Sequence, residues 1–166
     1  MSTHETAAHE TVFAGAVLAK LEALYPKYPD KRSLLLPALW LIQEARGWIS
    51  DGSVAEVAEK LGLTPAYVRG VVTFYTMYHT HPVGRHFIQV CTTSPCGICG
   101  AEDVAHALVK ETGCGDLGAT SPDGRFTVIE VECLGACGFP TPILIDDDFI
   151  ENVTVDRVPA ILARYT

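Results

Sequence analysis

Two short cysteine pairs constrain this chain more than any other feature. Cys91 and Cys96 have four residues between them, and Cys133 and Cys137 have three. Each pair lies in a glycine-bearing loop, Cys91-Thr-Thr-Ser-Pro-Cys96-Gly97 and Cys133-Leu-Gly-Ala-Cys137-Gly138. Each loop follows a run of strand-forming residues, Phe87 to Val90 and Phe126 to Val131. Thiolates offered from two loops suit a tetrahedral-sulfur centre, for which zinc and iron–sulfur are the choices. Both intervals also fall at or inside the spacing of structural zinc sites, so spacing alone leaves the two metals open. Cys99 adds a further reading. Cys91, Cys96 and Cys99 reproduce the spacing of plant-type ferredoxins, and Cys96-Gly-Ile-Cys99 imitates a thioredoxin redox motif. The second ordered pair speaks against both, because either reading leaves a loop cysteine unused. Cys99, at the border of a predicted helix, is expected to be a small buried filler, and Cys114 in Gly113-Cys-Gly115 a plain loop thiol. A Rieske centre needs two histidines, and neither loop holds one.

The 166 residues are 48% hydrophobic and 19% charged, enough for one domain or two small ones with a real core. No apolar run is long enough to span a bilayer, and the start lacks a basic, apolar export signal. The expected location is therefore the cytoplasm, without membrane insertion. In that compartment six cysteines read as metal ligands rather than disulfides. A net charge of −8 argues against nucleic acid, whose binding requires basic residues that neutralise phosphates.

Residues 1–10 carry no periodic pattern and are expected to fray. A helical unit is predicted over 11–82. Its first helix starts at Thr11, with Phe13, Val17, Leu21 and Leu24 at helical spacing until Pro26 and Pro29. A second runs from about Ser33 to Arg46, stopped by Gly47, with Pro37 tolerated only in a first turn. Ser53-Val-Ala-Glu56 reads as a capping box opening a third helix that Gly62 closes. Thr64-Pro65 starts a fourth, predicted to reach Tyr78. From 83 to 166 the pattern changes to β-α-β-β-β-α. Strands are predicted at Phe87–Val90, Phe126–Val131, Ile143–Ile145 and Phe149–Ile150, and helices at about Ala101–Glu111 and Asp156–Tyr165. Ser121-Pro-Asp-Gly124 signals a turn. The fold class is α+β, a small helical bundle followed by a thioredoxin-like α/β domain.

The motifs carry a resemblance. Val90-Cys91 with Cys96, Gly100-Ala101-Glu102, Asp123-Gly124-Arg125-Phe126 and Glu132-Cys133-Leu134-Gly135-Ala136-Cys137 resemble the 24-kDa subunit family of NADH dehydrogenase (complex I). Gln43-Glu44, Gly47-Trp48 and Gly70-Val71-Val72-Thr73-Phe74-Tyr75-Thr76-Met77-Tyr78 are similar to that family's N-terminal part. The likeness covers roughly residues 11–165. It implies a thioredoxin-like fold holding one [2Fe-2S] cluster, with Cys91, Cys96, Cys133 and Cys137 as ligands and Cys99 outside the set. It implies a partner flavoprotein subunit that binds FMN, NADH and a [4Fe-4S] cluster, further subunits, and a peripheral place at the inner face of the cytoplasmic membrane. The flavin there takes a hydride and releases electrons singly. The same module serves NAD-reducing hydrogenases and NAD-dependent formate dehydrogenases, which stand as alternatives. Pro142 falls where thioredoxin-like folds place a cis-proline, with an ordinary trans loop as the alternative.

Backbone N–H groups near Gly97, Gly100, Gly135 and Gly138 are expected to approach the sulfurs, and the hydroxyls of Thr92, Thr93 and Ser94 to add donors or simply to suit the turns. Residues 57–68 imitate a DNA-binding helix pair, but the would-be reading helix offers Arg69 as its only basic residue, so packing is the expected role. Phe74, Tyr75 and Tyr78 are expected as core or docking face. His79, His81 and His86 are expected as solvated linker histidines. No phosphate-cradling or dinucleotide motif is present, so NADH and FMN are expected on the partner only, with no activity from this chain alone.

Overall fold

The computed structural model describes residues 11–165. These divide into two compact units, one ending at Pro82 and the other beginning at Val83. Residues 1–10, expected to fray, lie outside the described residues.

The first unit is helical: α1 (Gly15–Glu22), α2 (Leu35–Arg46), α3 (Asp51–Leu61) and α4 (Pro65–Phe74). The predicted start of α1 at Thr11 is corrected. Val12 and Phe13 are buried, and their backbone N–H groups donate to the Glu56 carboxylate at 2.9 and 2.8 Å. Glu56 is thereby drawn away from the predicted capping box. Ser50 is the N-cap of α3 instead, its Oγ accepting from the Ser53 N–H at 3.1 Å. A 3-10 turn at Arg32–Leu34 precedes α2, so Pro37 falls in the first turn, where its missing N–H is no loss. Gly47 and Gly62 close α2 and α3 in the left-handed region, at φ +81° and +68°. Thr64 caps α4, accepting from the Tyr67 N–H at 3.2 Å.

α4 stops at Phe74 rather than Tyr78. The following residues bend back onto α2, where the Gln43 amide donates to the Met77 carbonyl and accepts from the His79 N–H, each at 2.7 Å. Tyr78 is thereby buried, and its hydroxyl donates to the Leu36 carbonyl at 3.0 Å. The core gathers Leu21, Leu34, Leu39, Ile42, Val57 and Val68.

The second unit contains β1 (His86–Cys91), α5 (Ser94–Ile98), α6 (Ala101–Thr112), β2 (Phe126–Val131), β3 (Ile143–Ile145), β4 (Asp148–Ile150) and α7 (Val158–Leu162). The mixed sheet has the order β2-β1-β3-β4. β1 and β2 pair in parallel from His86↔Phe126 to Cys91↔Val131, with α6 in the crossover that parallel strands require. β3 pairs antiparallel with both β1 and β4. Ile88, Val90, Phe126, Val128 and Ile143 form the core with Leu108 of α6 and Ile161 of α7. The predicted helix Asp156–Tyr165 is shorter, a 3-10 turn at Val155–Arg157 followed by α7. The Ser121 hydroxyl holds the predicted turn, accepting from the Arg125 and Phe126 N–H groups at 3.1 and 2.9 Å. The cis peptide among the described residues joins Pro140 to Thr141, one bond before Pro142, whose own bond is trans. No helix among the described residues is long and apolar enough to cross a membrane.

Candidate metal centre

Parallel pairing brings the two cysteine loops together. β1 ends on Cys91 beside Val131, the last residue of β2, and Cys133 follows two residues later. Both loops therefore leave the same edge of the sheet, the carboxyl ends of its parallel strands. Two backbone bonds secure the junction: Thr92 N–H donates to Val131, and Cys91 N–H to Pro142, each at 3.3 Å.

The first loop does not run free into α6. Residues Ser94–Ile98 form α5, a single short helix. Its first turn carries Cys96, whose N–H donates to the Thr93 carbonyl at 2.8 Å. Pro95 in the first turn was the readable signal for this helix. A side chain at Gly97 would put its Cβ 3.3 Å from the Thr92 carbonyl oxygen, so the loop packs tightly there. Gly100 sits at φ +88° between α5 and α6, a conformation that favours glycine. The second loop turns at Gly135, φ +83°, whose N–H donates to Cys133 Sγ at 3.3 Å.

The thiols form two pairs that sense each other. The free thiols of Cys91 and Cys96 act on each other, as do those of Cys137 and Cys133. Between the loops, the backbone of Leu134 acts on the Cys91 sulfur, as do the backbone and hydroxyl of Thr93. Burial pushes the Cys91 thiol up, but those neighbours more than offset it and leave it below the usual thiol range. Cys96 is pushed up to about 12, by burial first and then by Cys91 and the sulfurs of Cys137 and Cys133. Cys137 is raised, foremost by its hydrogen bond with Cys133. Without a cation, each pair resists becoming two thiolates, because like charges at short range disfavour each other. A positively charged iron pair supplies what such a donor set lacks, and the residues present fit that group.

Burial is uneven. Cys91 and Cys96 are 1% exposed, whereas Cys133 and Cys137 face solvent. Among the described residues, no three His, Cys, Asp or Glu side chains converge tightly enough to hold a single metal ion. Of the three hydroxyls expected as donors, that of Thr93 donates to Glu132 at 3.5 Å.

The remaining cysteines exchange their expected roles. Cys99 is exposed rather than a buried filler, next to an Ile98 that is 87% exposed. Cys114 is buried rather than a plain loop thiol, donating to the Phe126 carbonyl at 3.4 Å and accepting from Thr112 Oγ1 at 3.1 Å. His86 is likewise no solvated linker residue, since its Nδ1 lies 2.7 Å from the Asp146 carboxylate. In the α3–α4 pair, Arg69 is bound to Asp51, which commits the would-be reading helix's basic residue.

Known proteins share this architecture. The family model described as thioredoxin-like [2Fe-2S] ferredoxin matches residues 21–166. An NADH-quinone oxidoreductase subunit of Pseudomonas aeruginosa is 42% identical over 138 residues, covering 83% of this chain and 82% of that protein. NADH-quinone oxidoreductase subunit 2 of Thermus thermophilus is 39% identical over 146 residues, covering 86% and 80%. Among solved structures, an NAD+-reducing [NiFe]-hydrogenase in the H2-reduced state superposes with TM-score 0.66 at 21% identity. That likeness covers 80% of this chain and 22% of the hydrogenase chain, and it bears on the fold alone. With the family's pattern running over most of its length and its paired thiols on two facing loops, the chain belongs to the thioredoxin-like [2Fe-2S] ferredoxin family.

Proposed function

We propose that this chain is the electron-transfer subunit of an NADH:quinone oxidoreductase, with one [2Fe-2S] cluster held by Cys91, Cys96, Cys133 and Cys137. The observation that carries the reading is a thiol pair in each of two loops that a parallel strand pair delivers to the same end of the sheet. A cluster bound there supplies one-electron transfer at the sulfur edge. The chain's own residues do the rest. Leu134, Gly135 and Thr93 act on the sulfurs, which stabilises thiolate charge and tunes the potential. The buried first pair excludes water on one side, and the exposed second pair leaves the other side open to a redox partner.

The partner in this reading is a flavoprotein subunit that binds NADH and FMN and carries a [4Fe-4S] cluster. The helical unit docks against it, and further subunits hold the complex at the inner face of the cytoplasmic membrane. The division at residue 82 then separates a docking module from a cluster module. The alternative is a small subunit of an NAD-reducing hydrogenase or NAD-dependent formate dehydrogenase, in which the same module serves; the fold likeness at 21% identity does not separate the two. Relatives at 38–42% identity named as NADH-quinone oxidoreductase subunits favour the first assignment.

Purified anaerobically, the chain is expected to be red-brown, with about two irons and two acid-labile sulfides per chain. Colourless protein with stoichiometric zinc would refute the cluster. Adding the flavoprotein subunit is expected to confer NADH oxidation that the chain alone lacks. Saturable NADH binding by the isolated chain would overturn that division of labour.

A further inference from the structure

The helical unit contains a cavity of about 330 Å³ with an apolar floor of Leu35, Leu36, Val71 and Tyr75. Arg32 and Tyr67 stand on its rim. The Arg32 guanidinium lies over the Tyr67 ring, 4.7 Å from its centroid, and donates to the Tyr67 hydroxyl oxygen at 3.2 and 2.9 Å. Among the described residues, no carboxylate lies within ion-pair distance of it. Asp30, also on the rim, has its Oδ1 committed to the Ser33 N–H and hydroxyl at 2.8 and 2.9 Å. In a chain of net charge −8, Arg32 is thus an oriented cation whose hydrogen bonds go to a neutral partner beside an apolar hollow, with Asp30 acting on it through charge alone.

The hollow opens onto more apolar surface. Leu36 and Tyr75 of its floor are 40% and 37% exposed. Tyr75 packs edge-on against Phe74 and Tyr78, with centroids 5.0 and 6.4 Å apart, and Tyr78 packs against Trp40 at 6.3 Å. Phe74 is 76% exposed, and Trp40 and Met77 about half. A continuous aromatic face of this kind marks an interaction surface rather than scattered apolar residues.

We propose that this groove receives a segment of the partner flavoprotein subunit presenting an apolar side chain beside a carboxylate. The carboxylate pairs with Arg32 and accepts from the Tyr67 hydroxyl, whose oxygen, but not its proton, is taken by Arg32. The apolar group fills the floor between α2 and α4. Charge complementarity selects this occupant. The acidic remainder of the chain repels a carboxylate, while the planar guanidinium fork matches one in two hydrogen bonds. The inference rests on the partner assignment made under the proposed function.

The test titrates the cluster-loaded full chain against the purified flavoprotein subunit. Arg32→Glu and Leu36→Asp are each expected to weaken Kd by about tenfold or more, with the visible spectrum unchanged. A charge-matched control, Lys110→Glu on α6, is expected to change Kd less than about twofold. On binding, wild-type amides in residues 30–36 and 67–75 are expected to gain protection from hydrogen exchange, a readout independent of how the variants fold. Unchanged Kd in both variants, equal losses in the control, or absent protection would overturn the groove assignment while leaving the partner assignment standing. Self-association that depends on Arg32 would assign the groove to a second copy and also overturn it. Failure of the wild-type chain to bind the flavoprotein at all would remove both readings.

Discussion

Six cysteines sit in three environments, and each environment predicts a different outcome of mutation. Cys91, Cys96, Cys133 and Cys137 to Ser, one at a time, are expected to abolish or strongly distort the visible and spin-resonance spectra, since a hard alkoxide replaces thiolate poorly. Cys99→Ala, at an exposed position, is expected to keep the cluster and to change stability by less than about 0.5 kcal/mol. Cys114→Ala is also expected to keep the cluster, but to cost about 1 kcal/mol in denaturant melts, because it removes buried volume and two hydrogen bonds. The ligand candidates were legible because their spacing repeats in two similar loops. The burial of Cys114 and the exposure of Cys99 were not. Each depends on which face of a neighbouring element the residue meets, and local sequence carries no record of that.

Single residues also decide where the elements begin and how closely they pack. Ser50→Ala is expected to cost about 1 kcal/mol as the loss of the α3 cap. Glu56→Ala is expected to cost about 2 kcal/mol or more, because two backbone N–H groups from Val12 and Phe13 lose their acceptor. A loss of only a few tenths there, measured by chemical denaturation, would restore the capping-box reading. Gly84 lies against β2, where an added Cβ would come within 2.5 Å of the Phe126 backbone carbonyl carbon. Backbone cannot move aside as a flexible side chain can, so Gly84→Ala is expected to cost about 3 kcal/mol or to prevent folding. Tyr78 gives the helical unit an alkaline limit. Burial, with Tyr75 nearby, pushes its phenol up to about 12 from the ordinary 10. Below pH 10 the phenol is protonated folded and unfolded, and its contribution is complete. Between about 10 and 12 the unfolded chain loses the proton first, so stability falls as pH rises. Tyr78→Phe is expected to flatten that part of the stability–pH curve.

At the scale of the whole molecule, two cores support two tasks. The unit ending at Pro82 packs around Leu39, Ile42 and Val57, and the unit beginning at Val83 around Ile88, Val90 and Phe126. Residues 83–166 expressed alone are therefore expected to retain a [2Fe-2S] spectrum while losing co-purification with the flavoprotein. Unchanged partner affinity in that fragment would move the docking surface onto the cluster unit.

The sequence by itself determined the order of the strands and longer helices, though not the short α5 in the first cysteine loop, together with the change from helical to strand pattern near residue 82 and the four candidate sulfurs. All of these rest on periodicity, turn chemistry and spacing within short windows. Tertiary structure decided what joins distant segments. Gln43 stops α4 short by taking up the main chain at Met77 and His79. Glu56 reaches back to Val12 and Phe13. Parallel pairing of β1 with β2 brings Leu134 of one loop near the Cys91 sulfur of the other. Such contacts satisfy buried backbone groups with partners tens of residues away, and a pattern read within a window cannot name those partners.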